Sequence, residues 1–293
     1  MQCWWMQMTD SASVLELRDA PVPQAGPGQL LVRMHAAALN RGEFMPGRDP
    51  HSKAGTWKAI GQEGAGKVVA VGEGVTGFRP GDRVMGRCAG AFSEFALMEQ
   101  AEAIAMPQAL SWEEAASIPL TFSVSFDMLV LQGRLKAGEW VLINGVSSGV
   151  GVASLQLAKV LGAKVIGTSG SARKLEALKP LGLDVGLCTR MADFAAAVME
   201  ATGQHGADLV VNTVGGSVVA EDIRALAFEG RHATVGYVDG VLHADIDLDA
   251  LHAKRLTLFG VSNKLRNKAQ RSAAVPRFVA EVMPHVAAGR IKP

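Results

Sequence analysis

Three small residues, Gly149, Gly151 and Ser154, stand at the spacing of a G-x-G-x-x-G/A dinucleotide fingerprint. The chemistry of that spacing is the capture of a diphosphate. Gly149 is expected to permit a tight strand-to-helix turn. Gly151 is expected to let a pyrophosphate approach the backbone with no Cβ in the way. A small residue at 154 lets the helix pack closely. The N–H groups at the helix start, around Ser148, Gly149, Val150 and Gly151, then hold the diphosphate together with the positive end of the helix dipole.

The next stretch decides which dinucleotide fits. An NAD site usually carries Asp or Glu about 20 residues past the motif, bonded to the ribose 2′-OH. Here the chain reads Thr168-Ser169-Gly-Ser-Ala-Arg173-Lys174, with no carboxylate. Ser169 leaves room for a 2′-phosphate, and Arg173 and Lys174 attract one, so NADPH is favoured over NADH. The competing reading makes Arg173 and Lys174 ordinary solvated residues at a helix start.

The elements around the motif are those it needs. An apolar strand near 141–144 precedes it, a helical pattern follows, and a second strand near 163–168 completes a βαβ unit. Further strands are expected near 184–188, 207–212, 231–236 and 256–261, alternating with helices. That makes the class α/β, a doubly wound parallel Rossmann sheet. Residues 1–120 read differently, as short strands separated by turns such as Pro27-Gly28 and Pro80-Gly81-Asp82, a β-rich domain. A helical segment is expected over 112–132. We therefore divide the chain into 1–120 and a dinucleotide-binding domain, 121–293.

Composition narrows the function classes. The 293 residues carry 29 basic and 28 acidic side chains, net +1, so no nucleic-acid or membrane footprint is visible. No apolar run reaches a membrane span, and no signal peptide is recognisable at the N-terminus. Cys3, Cys88 and Cys188 make no C-x-x-C, which fits a reducing, cytoplasmic setting.

The chain resembles the zinc-independent quinone oxidoreductases, the zeta-crystallin-like branch of the medium-chain dehydrogenase/reductase superfamily. The resemblance rests on the glycine-rich stretch and on ordered blocks. These include Ala38-Leu-Asn40-Arg, Gly61-Gln-Glu63-Gly-Ala-Gly66, Pro80-Gly-Asp-Arg-Val84, Gly90-Ala-Phe-Ser-Glu-Phe95 and Val211-Asn-Thr-Val-Gly-Gly216. It implies a GroES-like first domain and a homodimer joined through the last strand, near 255–261. It implies cofactor contacts at Asn40, Thr121, Val214, Gly236, Tyr237 and Ser262, with a small-molecule quinone or enone as substrate. Val146 and Ser148 depart from the branch's longer signature. In the family the phrase Gly289-Arg-Ile-Lys-Pro293 leads into a further helix and strand that return to the first domain; here the sequence stops at Pro293, so either it ends early or the first domain is completed differently.

Zinc-dependent relatives place Cys where Asn40 stands and His where Gln62 stands. Amides are poor ligands for a catalytic zinc, so no metal is expected. Asn40 and Thr121 are the residues assigned to catalysis, Asn40 as an amide donor to the oxygen that gains negative charge during hydride addition, or else as a brace for its own loop. Thr121 is assigned near the nicotinamide ribose, or else as a helix cap. The substrate cleft is expected to be bounded by Asn40, Met45, His51, Thr121 and residues 260–262. Two alternatives stand beside the enone or quinone reductase: a zinc-type alcohol or ketone dehydrogenase, disfavoured by the missing ligands, and a non-catalytic, crystallin-like NADPH-binding protein.

Overall fold

The structure is a computed structural model that describes residues 1–8, 12–44, 55–263 and 265–293. The described residues fall into two compact units. The first comprises Met1–Leu120, Ala269–Val279 and Pro293; the second comprises Thr121–Lys268 and Ala280–Lys292.

In the first unit, strand β1 (Gln2–Met8) pairs antiparallel with β2 (Ser13–Asp19). Strands β3 (Gln29–Ala37), β5 (Glu63–Val71), β6 (Arg83–Ala89) and β7 (Phe95–Ala105) close into a barrel. The short strand β4 (Trp57–Ala59) lies on the other side of β1. Closure leaves no unpaired barrel edge. Leu30, Val32, Val68, Val84, Cys88 and Met98 fill the interior. Helix α1 (Trp112–Ala116) starts on a reciprocal cap: Glu114 N–H donates to Ser111 Oγ at 3.2 Å and Ser111 N–H to Glu114 Oε2 at 2.8 Å.

The helix expected over 112–132 is interrupted. Ser117 closes α1, and helix α2 (Pro119–Phe126) begins on a proline, which lacks the N–H needed to continue a preceding helix. It runs on into a π-helical turn, Asp127–Gln132.

The second unit is built on strands β8 (Trp140–Asn144), β9 (Lys164–Ser169), β10 (Val185–Cys188), β11 (Ala207–Asn212), β12 (Leu226–Thr234) and β13 (Thr257–Gly260). All pair parallel, in the order β10-β9-β8-β11-β12-β13. The order reverses between β8 and β11, so those two carboxyl ends flank the crevice where such sheets take ligands. β12 starts five residues earlier than the expected 231. Its pairing with β11 shifts register between Ala207 and Leu209, and Glu229 takes φ +58°, which absorbs the extra length.

Helix α3 (Gly149–Val160) follows β8, α4 (Ala172–Leu178) follows β9, α5 (Ala195–Ala201) follows β10 and α6 (Val219–Ala225) follows β11. Leu142, Ile166, Val198, Val210 and Ile223 share one core on this sheet. Gln156 of α3 is buried and exchanges two hydrogen bonds with the Lys292 backbone, at 3.0 and 2.7 Å.

The sequence reading assigned 269–279 to the dinucleotide-binding domain and gave the first domain no return. In the structure Ala269–Val279 belongs to the first unit. Arg271, in helix α7 (Lys268–Ser272), donates through Nε to the buried carboxylate of Glu102 on β7 at 3.1 Å. Among the described residues no helix is long and apolar enough to cross a membrane.

Candidate functional site

The glycine-rich turn leaves β8 at Asn144. Its conformational demand falls on Gly145, with φ +73°, where a Cβ would lie 2.5 Å from Thr213 Oγ1. Gly149, given that duty in the sequence reading, needs no positive φ. A Cβ there would meet only the Thr121 methyl, at 3.6 Å. At Gly151 a Cβ would stand 2.5 and 2.6 Å from the carbonyl oxygens of Gly145 and Val146. The missing side chain at 151 thus first makes room for the loop's own backbone. Ser148 caps α3, accepting from Gly151 N–H at 3.1 Å. Val150 is the second residue of α3. Ser154 faces α2: its Oγ lies 3.0 Å from Ser125 Oγ.

Thr121 is the third residue of α2, not a cap. Its carbonyl accepts from Ser125 Oγ at 2.9 Å, and its methyl lies over Gly149.

At the end of β9, Ser169 is buried and its Oγ lies 3.0 Å from Ser147 Oγ. Arg173 and Lys174 are exposed in the first turn of α4, which Ser171 caps by accepting from Lys174 N–H at 3.4 Å. The structure adds a third cation that sequence reasoning missed. Arg190 lies beyond the end of β10, and its guanidinium covers Gly170; a Cβ at 170 would stand 2.8 Å from Arg190 Cζ. The signal in the sequence was an arginine just past a strand end on the same sheet edge. The carboxylate of Asp193 on that segment is held by Thr189 Oγ1 at 2.8 Å.

Past β11, Asn212 Oδ1 accepts from the N–H groups of Val214 and Gly215, each at 2.9 Å, and its Nδ2 donates to Gly215 O at 3.0 Å. This fixes Val214 at the crevice rim. Gly236 follows β12, with Val235 N–H on Asn212 O at 3.0 Å. Tyr237 comes next and is 37% exposed. Ser262 is exposed just beyond β13. Ser148, Gly149, Val150, Gly151, Ser169, Val214, Gly236, Tyr237 and Ser262 therefore line the carboxyl edge of one sheet.

Asn40 belongs to the first unit, at the head of a 3-10 turn, Arg41–Glu43. It does not cap that turn. Its Nδ2 donates to Glu63 Oε1 at 2.8 Å, and Glu63 Oε2 accepts from Leu120 N–H at 2.6 Å. Glu63 is fully buried. Burial pushes its carboxyl up to about 7, against the lowering effect of the Asn40 and Leu120 bonds; Glu43 adds to the rise and Arg87 opposes it. Glu43 is buried too, its carboxyl raised chiefly by burial, and its Oε1 has no hydrogen-bond partner among the described residues. The neighbouring Cys88 thiol is pushed up to about 12 by burial and the two glutamates. The Asn40 side chain thus braces Glu63 and also bonds the Glu43 carboxyl, which opposes the rise that burial gives it.

The residues at the zinc-ligand positions do not suit a zinc ion. Asn40 is tied to Glu63 and Gln62 is exposed. Among the described residues no three His, Cys, Asp or Glu side chains converge to hold a metal. His35 stacks on Trp112 at 4.3 Å between ring centroids. Met45 and His51, expected at the cleft, lie outside the described residues.

Comparison with known proteins agrees with this architecture. Residues 149–279 match the family described as zinc-binding dehydrogenase, and 26–108 match the alcohol dehydrogenase GroES-like domain. Mycobacterial Rv1454c, solved in complex with NADPH, is 30% identical, with a TM-score of 0.88 over 99% of this chain and 90% of that one. A quinone oxidoreductase of Pseudomonas syringae pv. Tomato DC3000 is 28% identical, with a TM-score of 0.86 over 100% of this chain and 90% of that one. The spectinabilin polyketide synthase system protein NorB of Streptomyces orinoci is 36% identical over 242 residues, 80% of this chain but 11% of NorB. The chain spans about a tenth of the length of such curated relatives. With both domain types present and a parallel six-stranded sheet beside a β-rich GroES-like unit, the chain belongs to the medium-chain dehydrogenase/reductase superfamily.

Proposed function

We propose that the protein is an NADPH-dependent oxidoreductase that passes a hydride to a quinone or an α,β-unsaturated carbonyl compound without zinc. One observation carries the cofactor reading. The end of β9 presents Ser169 and three cations, Arg173, Lys174 and Arg190, where an NAD site would present a carboxylate. A 2′-phosphate is attracted there and meets no repelling acid. The NADPH complex of Rv1454c supports the same choice.

Bound NADPH supplies the hydride. The chain's residues bind and orient: the start of α3 takes the diphosphate, and Asn212 holds Val214 and Gly215 in place. Hydride addition to a conjugated carbonyl builds charge on its oxygen, and the Asn40 amide is the donor we assign to it. Glu63 keeps that amide from turning. The amides at 40 and 62 argue for zinc-free chemistry, and the quinone oxidoreductase neighbour supports the acceptor class. We assign the protein to the cytoplasm and to a homodimer paired along β13, whose apolar edge invites pairing; a monomer at micromolar concentration in light scattering refutes the dimer. The deciding experiment is NADPH oxidation across a panel of quinones, enones, enoyl thioesters and simple ketones. Turnover of the conjugated acceptors alone supports the reading. Turnover of simple ketones with stoichiometric zinc, or NADPH binding with no turnover of any acceptor, overturns it.

A further inference from the structure

Beneath the glycine-rich turn lies a chain of buried polar groups to which the reaction assigns no part. Asp222 of α6 is 0% exposed and His232 of β12 is 1% exposed. His232 Nε2 lies 2.9 Å from Asp222 Oδ2, and Asn144 Nδ2 donates to Asp222 Oδ1 at 2.5 Å. Asn144 Oδ1 accepts from Thr168 Oγ1 at 3.0 Å, and that hydroxyl accepts from Gly145 N–H at 3.2 Å. The Asn144 carbonyl accepts from Thr213 Oγ1 at 2.7 Å. An unbroken path of hydrogen bonds therefore runs from His232 to the one residue of the turn that must take a positive φ.

We propose that Asp222 and His232 are a buried positioning pair that sets dinucleotide affinity by holding Asn144 and, through it, the Gly145 turn.

The chemistry of the donors favours this assignment. An asparagine amide presents a donor on one side and an acceptor on the other. Asp222 as a carboxylate only accepts, so it forces the Asn144 nitrogen inward. The Asn144 oxygen then faces Thr168, whose single proton is used there and whose lone pair is left for Gly145 N–H. Protonating or neutralising position 222 removes the reason for each later orientation. Burial works against the carboxylate and raises its pKa; the bonds from His232 and Asn144 oppose that rise. A fully bonded network of this kind specifies one arrangement, whereas a partly bonded one admits several. The turn it holds carries the N–H groups that meet a diphosphate, and such sites demand placement to within about 0.5 Å. Both side chains are buried beneath the turn, so the role assigned to them is one of position.

The inference rests on the NADPH reading above, and the experiment separates the two. NADPH dissociation constants are measured by isothermal titration for the wild type, Asp222→Asn, Thr168→Val and the double exchange Asn144→Asp with Asp222→Asn. Unfolding curves without cofactor and kcat at saturating NADPH are recorded beside them. Asp222→Asn is expected to weaken NADPH about tenfold, the worth of one hydrogen bond to a charged partner, with kcat within about twofold of wild type. The double exchange restores every bond with donor and acceptor traded between 144 and 222, and is expected to recover affinity to within about threefold. Thr168→Val keeps the shape, removes the hydroxyl between Asn144 and Gly145, and is expected to weaken NADPH by a similar factor; it decides the matter if Asp222→Asn does not fold. Unchanged affinity in the folded single variants, with only melting temperature lowered, overturns the positioning role. A double exchange no better than the single variant overturns it as well. A wild type that binds no NADPH overturns the cofactor reading instead.

Discussion

Replacing Glu63 with Gln removes a proton that the folded protein holds and the unfolded chain does not. The carboxyl sits at about 7 when folded, against its usual 4.5. Between those pH values the folded state binds more protons than the unfolded one, so unfolding free energy falls as pH rises from about 4.5 to about 7, and then levels off. Over that interval, at ~1.4 kcal/mol for each tenfold change, the loss approaches about 3 kcal/mol. For a protein of this size that is on the order of 6–12 °C in melting temperature, at roughly 2–4 °C per kcal/mol.

The assay is thermal unfolding of wild type and Glu63→Gln side by side from pH 5 to pH 8. Glutamine offers one acceptor where Asn40 Nδ2 and Leu120 N–H both need one, so the variant carries a fixed penalty. The pH-dependent part is read from the difference between the two curves, in which other titrating groups cancel. Wild type is expected to lose ground to the variant as pH rises toward 7. The same proton reverses the Asn40 contact, because a protonated Glu63 can donate to the Asn40 carbonyl oxygen instead of accepting from its nitrogen. Turnover should therefore show an inflection near pH 7 in wild type and none in Glu63→Gln. Parallel unfolding curves across the whole range would refute the argument, since they would mean that Glu63 is ionised throughout.

Three further outcomes are expected. Lys174→Ala and Arg190→Ala should each weaken NADPH about tenfold and leave NADH binding unchanged, measured by cofactor titration; an equal loss for both cofactors contradicts the 2′-phosphate assignment. Asn40→Ala should lower kcat by about 10²-fold with NADPH affinity kept within about threefold, the size of effect known for one preorganised donor; full turnover on the best acceptor makes Asn40 a brace only. Exhaustive dialysis against a chelator should leave activity intact and elemental analysis should find substoichiometric zinc, because Asn40 and Gln62 are amides; activity that disappears on chelation and returns with zinc contradicts this.

Much of the second unit was legible because its signals are local. Gly149, Gly151 and Ser154 follow an apolar strand and open a helix, and the strand-helix alternation after them places Ser169, Val214, Gly236 and Ser262 at strand ends. Individual duties within the turn were less legible. Gly145, Gly149 and Gly151 look alike as letters; only the packing of Thr213 and of the Gly145 and Val146 carbonyls distinguishes them. Arg190 escaped notice because its relation to Gly170 crosses from one strand to its neighbour, a separation of 20 residues with no periodic trace. Asp222 and His232 were invisible for the same reason. A buried acid on a helix and a histidine on a strand read as unrelated until α6 folds back under β8 and β12. The grouping of Ala269–Val279 with the first unit was not legible because that segment carries no mark of which core it will join; its Arg271 meets Glu102 only in the fold.

That excursion bears on the order in which the protein can mature on the ribosome. The barrel strands are all synthesised by residue 105, yet Ala269–Val279, which completes their unit, emerges only after some 150 further residues that build the other sheet. At about 5–20 residues per second, the first unit waits on the order of ten seconds or more for its last piece. During that interval the Glu102 carboxylate has no Arg271. A nascent chain halted after 120 should therefore be a good chaperone substrate, and a gene fragment cut at that point should express poorly by itself. Supplying residues 269–279 in trans as a peptide would be the simplest way to make it fold.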